Sequence, residues 1–188
     1  VVSPGEYHEN LHMMGKALAL ISTNPRDPAV VEATVLRASS VLSAVTCLGS
    51  EGGLISGLTI TGGGKTLTIG GGINANGAPI TIEYNMITGN QADFGGGIAN
   101  LYGYIRYNTI SRNRAVRGGG GLYYCFCPLF EYNVVAFNET RYGGGTYMGT
   151  LNSFFSVFYG NQASGGGSAI YSSGNLENCI VWGNTGPG

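Results

Sequence analysis

Four arginines concentrated within twelve residues are the most distinctive candidates for chemistry, because the whole chain has only nine basic residues. They are Arg106, Arg112, Arg114 and Arg117. Guanidinium groups bind carboxylates and other oxyanions through paired hydrogen bonds. The cluster therefore predicts a binding site for an anion such as a uronate or a sulfated glycan. The alternative is a solvated edge that keeps the chain in solution.

Charged residues also recur at a nearly constant spacing, which separates Glu83, Arg106 and Glu131. Stacked in a repeating fold, they would form a solvent-facing ladder of alternating charge. Two carboxylates two repeats apart, about 9.6 Å, also meet the separation that a glycosidase needs. The guanidinium between them would keep both ionised, which argues against an acid role. The catalytic candidates are Arg112, Arg114 and Glu131.

Aromatic residues occupy the position after each of these charges and so share their spacing. They are Tyr84, Tyr107, Tyr132 and, one repeat further on, Phe155. Rings one repeat apart can stack on one another. If they face outward they offer a platform for a sugar, and we count the three tyrosines among the candidate ligand-binding residues. If they face inward they are part of the core.

Composition excludes several classes of partner. The net charge of −1 gives no overall attraction to nucleic acid, and there is no apolar run of about 18 residues that would predict a membrane-spanning helix. His8 and His12 lie in a segment that reads as strand and turn, where their spacing does not form a zinc site. We expect no metal and no cofactor.

The four cysteines have no zinc-site spacing. They are Cys47, Cys125, Cys127 and Cys179. We expect mainly buried free thiols. A disulfide between Cys179 and either Cys125 or Cys127 is left open.

The element that must position these residues is a repeat marked by regularly spaced asparagines. They are Asn90, Asn113, Asn138, Asn161 and Asn184, and a glycine triplet follows each of the first four. A nearly fixed period of about 23 residues predicts a solenoid. Stacked asparagine amides can bond to one another at an inward turn, and the triplets suit close backbone approach.

Short strands of apolar and β-branched residues lie between the glycines. Ile87, Ile110, Val135, Phe158 and Val181 occupy one repeat position and are predicted to face the core. Three short strands in a repeat of about 23 residues predict an all-β solenoid of about seven coils whose equivalent strands stack in parallel. We expect one domain, 1–188, with less regular coils over 1–56 and regular repeats over 57–188.

The less regular coils are read from two upstream segments, 17–22 and 33–37, which are predicted to be strands. Pro25 and Pro28 mark a loop between them.

The segment Phe158-Tyr159-Gly160-Asn161 and the following Gly166-Gly167-Ser168-Ala169-Ile170 resemble the FxxN and GGAI motifs of polymorphic outer-membrane proteins. Together with the opening coils, they give the whole chain a resemblance to right-handed parallel β-helix proteins of the pectate-lyase-like fold. The resemblance implies a secreted or surface bacterial protein, of a type common in metagenomic sequences, with a structural or adhesive role that includes contact with polysaccharide. The alternative is an enzyme on a β-helix scaffold: a carbohydrate-active polysaccharide lyase or glycoside hydrolase, or another hydrolase.

Proteins of this fold usually carry an amphipathic helix over the first coil, and none is predicted here. The sequence opens in mid-pattern and its last repeat runs into Gly186-Pro187-Gly188, so we expect a mature piece or fragment of a longer protein. Uncovered ends of a solenoid expose strand edges. We therefore expect end-to-end self-association between copies.

Overall fold

The computed structural model describes residues 1–50, 52–65 and 68–187 and shows a right-handed parallel β-helix. Glu51, Thr66, Leu67 and Gly188 belong to the predicted domain but lie outside the described residues. The described elements are one short helix, α1 (Pro28–Ala33), and strands β1 (Gly5–His8), β2 (Leu11–His12), β3 (Leu18–Ile21), β4 (Thr34–Arg37), β5 (Val45–Thr46), β6 (Gly53–Ser56), β7 (Thr59–Thr61), β8 (Ile73–Asn74), β9 (Ile80–Glu83), β10 (Met86–Thr88), β11 (Gln91–Phe94), β12 (Ile98–Ala99), β13 (Tyr102–Arg106), β14 (Thr109–Ser111), β15 (Arg114–Gly118), β16 (Leu122–Glu131), β17 (Val134–Ala136), β18 (Glu139–Tyr142), β19 (Thr146–Phe154), β20 (Val157–Tyr159), β21 (Gln162–Gly166), β22 (Ile170–Ser173), β23 (Leu176–Glu177) and β24 (Ile180–Trp182).

The strands form three parallel sheets, and the smallest of them spans only four successive coils. An eight-stranded sheet has the order β1-β4-β7-β10-β14-β17-β20-β24, and a four-stranded sheet has the order β11-β15-β18-β21. The third sheet combines the strands that follow the glycine triplets with those that precede the next turn. They merge because β16 and β19 run through both positions without a break.

The coil count differs slightly from the expected seven coils. In the eight-stranded sheet, Leu36 pairs with Ile60 and Ile60 with Ile87, and the pairing continues coil by coil to Val181. These pairings make about six regular turns. The turn before them is longer, since Tyr7 pairs with Leu36. The extra residues of that first turn carry the helix α1.

This helix lies where the sequence predicts a loop between two strands, so that part of the prediction is wrong. Asp27 caps its first turn by accepting a hydrogen bond from the backbone N–H of Ala29 at 3.0 Å, and Pro28 occupies the first helical position, where its missing N–H costs nothing. The Asp-Pro pair was the available signal. The helix lies beside the coils, held by the Thr59 hydroxyl, which donates to the Val31 carbonyl at 2.8 Å.

The core is built from the predicted inward columns. Ile87, Ile110, Val135 and Phe158 are completely buried, as expected. Val181, at the same position of the last described coil, is about half exposed because no described residue lies over it.

The asparagine ladder is confirmed. Each side-chain amide donates to the Oδ1 of the asparagine in the next coil, at 3.0, 3.1, 3.0 and 2.9 Å from Asn90 through to Asn184. Each Oδ1 also accepts the backbone N–H of the asparagine before it, as at 3.1 Å between Asn113 and Asn90. In the preceding coil Gly63 occupies the equivalent position, and its backbone N–H donates to the Oδ1 of Asn90 at 2.9 Å. These bonds lock each coil to the next.

A second ladder, which the sequence analysis missed, lies at the turn five residues earlier. The Asn85 amide donates to Asn108 and the Asn108 amide donates to Asn133, both at 3.1 Å. Ser156 then takes the position and accepts the Asn133 backbone N–H at 3.1 Å. Cys179 ends the column, with its thiol donating to the Ser153 and Glu177 carbonyls. The signal was present in the sequence as a second set of asparagines with the same spacing as the first.

The glycine triplets allow successive coils to approach closely without side chains between them. A Cβ on Gly120 would lie 2.5 Å from the Gly144 carbonyl oxygen and 2.8 Å from the backbone nitrogen of Glu139. Any larger residue would force the coils apart. The triplet of one coil therefore packs directly against the triplet and the β18 backbone of the next coil.

The four-stranded sheet corrects the expectation of a simple turn edge around Arg114 and Arg117. Both residues lie on β15, and the register pairs Arg114 with Gln91 on one side and Glu139 on the other. Small residues form its buried column: Ala92, Ala115, Thr140 and Ala163. Thr140 is the exception in this column, because its buried hydroxyl has no hydrogen-bond partner among the described residues.

Replacing Asn113 with alanine should lower the free energy of unfolding by about 3 kcal/mol, because it leaves buried amide groups of Asn90 without an acceptor. Urea unfolding followed by circular dichroism measures the change. The matched control is Asn184→Ala at the partly exposed end of the ladder, where a loss of about 1 kcal/mol is expected. Equal losses in the two variants would contradict the role given to the ladder.

Replacing Thr140 with valine should stabilise the protein by about 1 kcal/mol, because valine keeps the shape and removes an unpaired buried hydroxyl. The control is Thr146→Val, which removes a buried hydroxyl that donates to Ser172 at 3.1 Å and should therefore destabilise. Thermal unfolding compares them. A lower melting temperature for Thr140→Val would show that its hydroxyl is satisfied.

Candidate functional site

The outer face of the four-stranded sheet carries a shallow groove of about 550 Å³ across β15, β18 and β21. Its polar walls come from Arg114, Glu139, Arg141, Gln162 and Ser164. Alternation along each strand points these side chains outward while the alanine column packs inward. The groove therefore offers guanidinium, amide and hydroxyl groups on a surface fixed by the coil.

Aromatic rings support three of the arginines on and beside this sheet. A guanidinium lies over a ring centroid at 5.9 Å for Arg112 on Phe137, 5.8 Å for Arg117 on Phe94 and 5.1 Å for Arg141 on Tyr142. Within the residues that the structure describes, none of the three arginines forms an ion pair. Cation–π contact restricts the planar group while its hydrogen-bond donors stay available for a ligand.

Arg114 is oriented differently, by a carboxylate of the next coil. Its Nε atom lies 3.8 Å from Oε1 of Glu139, and both side chains are exposed. A long ion pair at the surface adds little stability, but it engages Nε and leaves the two terminal nitrogens of the guanidinium available to a ligand. The sheet therefore presents oriented guanidinium groups whose terminal nitrogens are available to a ligand.

A second depression, of about 290 Å³, lies at the corner between this sheet and the eight-stranded sheet. It is lined by Gly89, Gln91, Arg112, Arg114 and Phe137. Arg112 has a left-handed backbone, with φ of 53°, where the preceding coil has Gly89 with φ of 67°. The missing side chain of Gly89 leaves space beside the Arg112 guanidinium. Arg112 and Arg114 thus border one concave surface.

Arg106 is separated from the other arginines, because it lies on β13 in the third sheet. Its Nε donates to Oε2 of Glu83 at 2.7 Å, and this bond is the main reason why the pKa of Arg106 is raised. Glu131 occupies the next coil in register with it. The expected ion ladder is confirmed for the Glu83–Arg106 pair.

The three catalytic candidates do not come together in the structure. Glu131 lies at the end of β16 in the third sheet, whereas Arg114 starts β15 of the four-stranded sheet and Arg112 lies in the turn before it. A carboxylate and a base acting on one bond must lie within reach of it. The geometry groups Arg112 and Arg114 with the groove and leaves Glu131 with Arg106.

The aromatic column faces outward, so the interpretation that places these rings in the core is wrong. Tyr84, Tyr107, Tyr132 and Phe155 stack in order with ring centroids 4.8, 5.0 and 5.1 Å apart and planes within 9° of parallel. Tyr107 and Tyr132 are about two-fifths exposed. Neighbouring rings cover most of the ring faces, so a sugar meets ring edges and hydroxyl groups rather than the flat platform that was expected.

Backbone conformation explains the outward direction of this tyrosine ladder, defined by Tyr84, Tyr107 and Tyr132. The residues of this turn have a left-handed backbone, with φ of 55°, 57° and 52° for the three tyrosines. Gly57 and Asn178 occupy the equivalent turns before and after the aromatic residues and have the same conformation, which glycine and asparagine adopt most easily. The sequence gives no direct sign of this torsion for a tyrosine.

The prediction of thiols rather than disulfides is confirmed. Cys47, Cys125 and Cys127 are buried, Cys179 is half-buried, and none of the four is joined to another in a disulfide. Contact with Cys125, followed by burial, raises the pKa of the Cys127 thiol well above its ordinary value, which keeps it protonated and unreactive. In the described ranges, no group of three or more histidine, cysteine or acidic side chains is placed to hold a metal.

The helical content is small, and among residues 1–50, 52–65 and 68–187 there is no helix with the length and apolarity to cross a membrane.

Comparison with known protein families places a match near the end of the chain. Residues 155–173 match the family model of the Chlamydia polymorphic membrane protein (Chlamydia_PMP) repeat. This segment contains the FxxN and GGAI-like motifs and spans the end of one coil and the start of the next. Neither the curated proteins nor the solved structures gave a match. The chain is thus a parallel β-helix repeat protein with a repeat similar to those of polymorphic membrane proteins, which fits a surface or outer-membrane type of protein.

Proposed function

We propose that this chain is a structural and adhesive segment of a secreted or surface β-helix protein, and that its four-stranded sheet binds acidic polysaccharide. The observation that carries the proposal is the set of oriented guanidinium groups on and beside that sheet. Arg112, Arg117 and Arg141 rest on aromatic rings, and the Nε of Arg114 faces Glu139. The similarity to a membrane-protein repeat supports the surface location.

Acidic sugars suit this surface for two reasons. The terminal nitrogens of a guanidinium match the two oxygens of a carboxylate or sulfate, and holding the group in place beforehand reduces the entropy lost on binding. Uncharged partners for sugar hydroxyls lie in the same groove, including Gln162, Ser164 and Thr185. The chain as a whole carries a net charge of −1, so attraction to a polyanion has to come from this local surface.

A polymer also suits the geometry of the site. Successive strands of the four-stranded sheet lie one coil apart along the rod, about 4.8 Å per step. The groove and the corner depression adjoin at Arg114, which borders both. An extended glycan can therefore meet several guanidinium groups at once, and weak contacts add up.

Removing Arg112 and Arg114 together should weaken binding to an oligogalacturonate by about tenfold or more, about 1.4 kcal/mol. Titration calorimetry at low and high salt measures the change, and higher salt should weaken binding by the unmodified chain. The matched control removes two positive charges elsewhere, in Lys16→Ala with Arg37→Ala, and should bind almost normally. A neutral oligosaccharide serves as the control ligand.

Three results would count against the proposal. One is an equal loss of affinity in the double variant and in its control, which would show that binding depends only on the net charge of the chain. Another is equal binding of neutral and acidic oligosaccharides. The third is turnover of the polysaccharide that depends on Arg112 or Arg114, which would favour the lyase or hydrolase alternative.

We also propose that copies of this chain associate end to end through the last described coil. Ile180, Val181 and Trp182 of β24 are about half exposed or more, and β24 is at the edge of the eight-stranded sheet. An exposed apolar strand edge favours pairing with another strand.

Light scattering should show a mass that increases with the concentration of the 188-residue chain. Val181→Lys should reduce this association, because a charge on an exposed strand opposes pairing. The exposed control Val116→Lys, on the four-stranded sheet, should associate as before. A monomeric mass at every concentration would contradict the proposal.

A further inference from the structure

We propose that the tyrosine ladder is a site of oxidative modification, at which a one-electron oxidant couples Tyr107 to Tyr84 or to Tyr132 through a dityrosine bond. This inference is independent of glycan binding, since the ladder lies at another turn of the coil. It follows from the distances between the phenols, from their exposure and from the way in which the backbone holds them.

The three phenols are aligned before any reaction begins. Ring centroids of Tyr84 and Tyr107 are 4.8 Å apart with planes 2° from parallel, and those of Tyr107 and Tyr132 are 5.0 Å apart with planes 3° from parallel. Two phenoxyl radicals formed on adjacent coils would therefore be neighbours from the start. Their coupling needs side-chain rotation but no encounter between molecules.

The second asparagine ladder keeps this alignment in place. Each tyrosine is followed directly by one of its members, Asn85, Asn108 or Asn133, whose amide bonds of 3.1 Å link neighbouring coils. The preceding strands are in register as well, with Arg106 paired to Glu83 and to Glu131. The backbone at the base of each phenol is therefore fixed, while the ring reaches solvent.

An oxidant in solution can reach the ladder. Tyr107 and Tyr132 are about two-fifths exposed and Tyr84 is half-buried. Desolvation, followed by the charge of Glu131, raises the pKa of Tyr107, so the phenol is protonated at neutral pH. Its oxidation must release a proton, and the exposed edge of the ring lets water accept it.

The reaction balances with two equivalents of oxidant. Each of two tyrosines loses one electron to an oxidant molecule and one phenolic proton to water, which gives two phenoxyl radicals. The radicals form one carbon–carbon bond between ring positions ortho to oxygen. The hydrogen on each newly bonded carbon then moves to oxygen and restores both phenols. The product has lost two hydrogen atoms, and two oxidant molecules are each reduced by one electron.

The ends of the stack limit the possible products. Phe155 continues it beyond Tyr132 but has no hydroxyl to oxidise, and the Arg26 guanidinium covers the outer face of Tyr84 at 5.4 Å. Tyr107 is the central ring and takes part in both possible bonds. Other tyrosine pairs in the described chain are less parallel: Tyr147 and Tyr171 lie 5.2 Å apart at 33°, and Tyr123 and Tyr147 lie 6.1 Å apart at 18°.

The test uses the full chain at low concentration with tris(bipyridine)ruthenium and persulfate as the light-driven one-electron oxidant. Mass spectrometry of the monomer should show the loss of two hydrogens, and peptide mapping should join the Tyr107 peptide to the Tyr84 or Tyr132 peptide. The fluorescence of dityrosine follows the reaction. Circular dichroism before exposure to light checks that each variant is folded.

Tyr107→Phe keeps the ring stack and should abolish both products. The matched control is Tyr104→Phe, which removes a similarly exposed phenol three residues away, and it should retain both. The proposal is overturned if the Tyr107 peptide is absent from the cross-links of the unmodified chain. It is equally overturned if Tyr104→Phe removes the products, or if Tyr107 is joined only to tyrosines of other molecules.

Discussion

The structure depends on the need of each inward asparagine to satisfy its amide where water is absent. A buried amide that has no partner costs free energy, and here the amides bond to the next coil or to backbone carbonyls, as the Asn113 amide does to Asn138 and to the Ile87 carbonyl. These bonds form only when successive coils are in register. The ladders at Asn113 and Asn108 therefore fix two turns of the coil and, with them, the spacing of everything attached to the outside.

Side chains that point outward at equivalent positions of successive coils have the same spacing, and this spacing determines which of them can interact. Side chains one coil apart are close enough for rings to stack and for a guanidinium to rest on a ring or face a carboxylate. The same repeat thus produces a tyrosine ladder at one turn and oriented arginines at another. Arg106, which is near the other arginines in sequence, belongs to a different sheet because the chain passes through two turns between Arg106 and Arg114.

Much of the fold could be predicted because structurally equivalent residues recur at nearly fixed intervals in the sequence. The ladder from Asn90 to Asn184, the buried column at Ile87 and the strands after the glycine triplets are all confirmed. The second ladder had an equally visible spacing and was missed. The helix at Pro28 was also missed, since so short a helix gives too little periodicity to separate it from a loop.

The sequence by itself determined the solenoid, its period and the inward positions, because those depend on side-chain type repeated at constant spacing. Only the tertiary structure decided which candidate residues share a surface. In the folded chain the segment around Arg114 is a strand of a sheet. The side chain of Tyr107 points outward because its backbone is left-handed, a conformation that no local preference of tyrosine predicts. The physical reason is that both outcomes are set by contact between coils, through backbone pairing and ring stacking between residues that lie a full repeat apart in the chain.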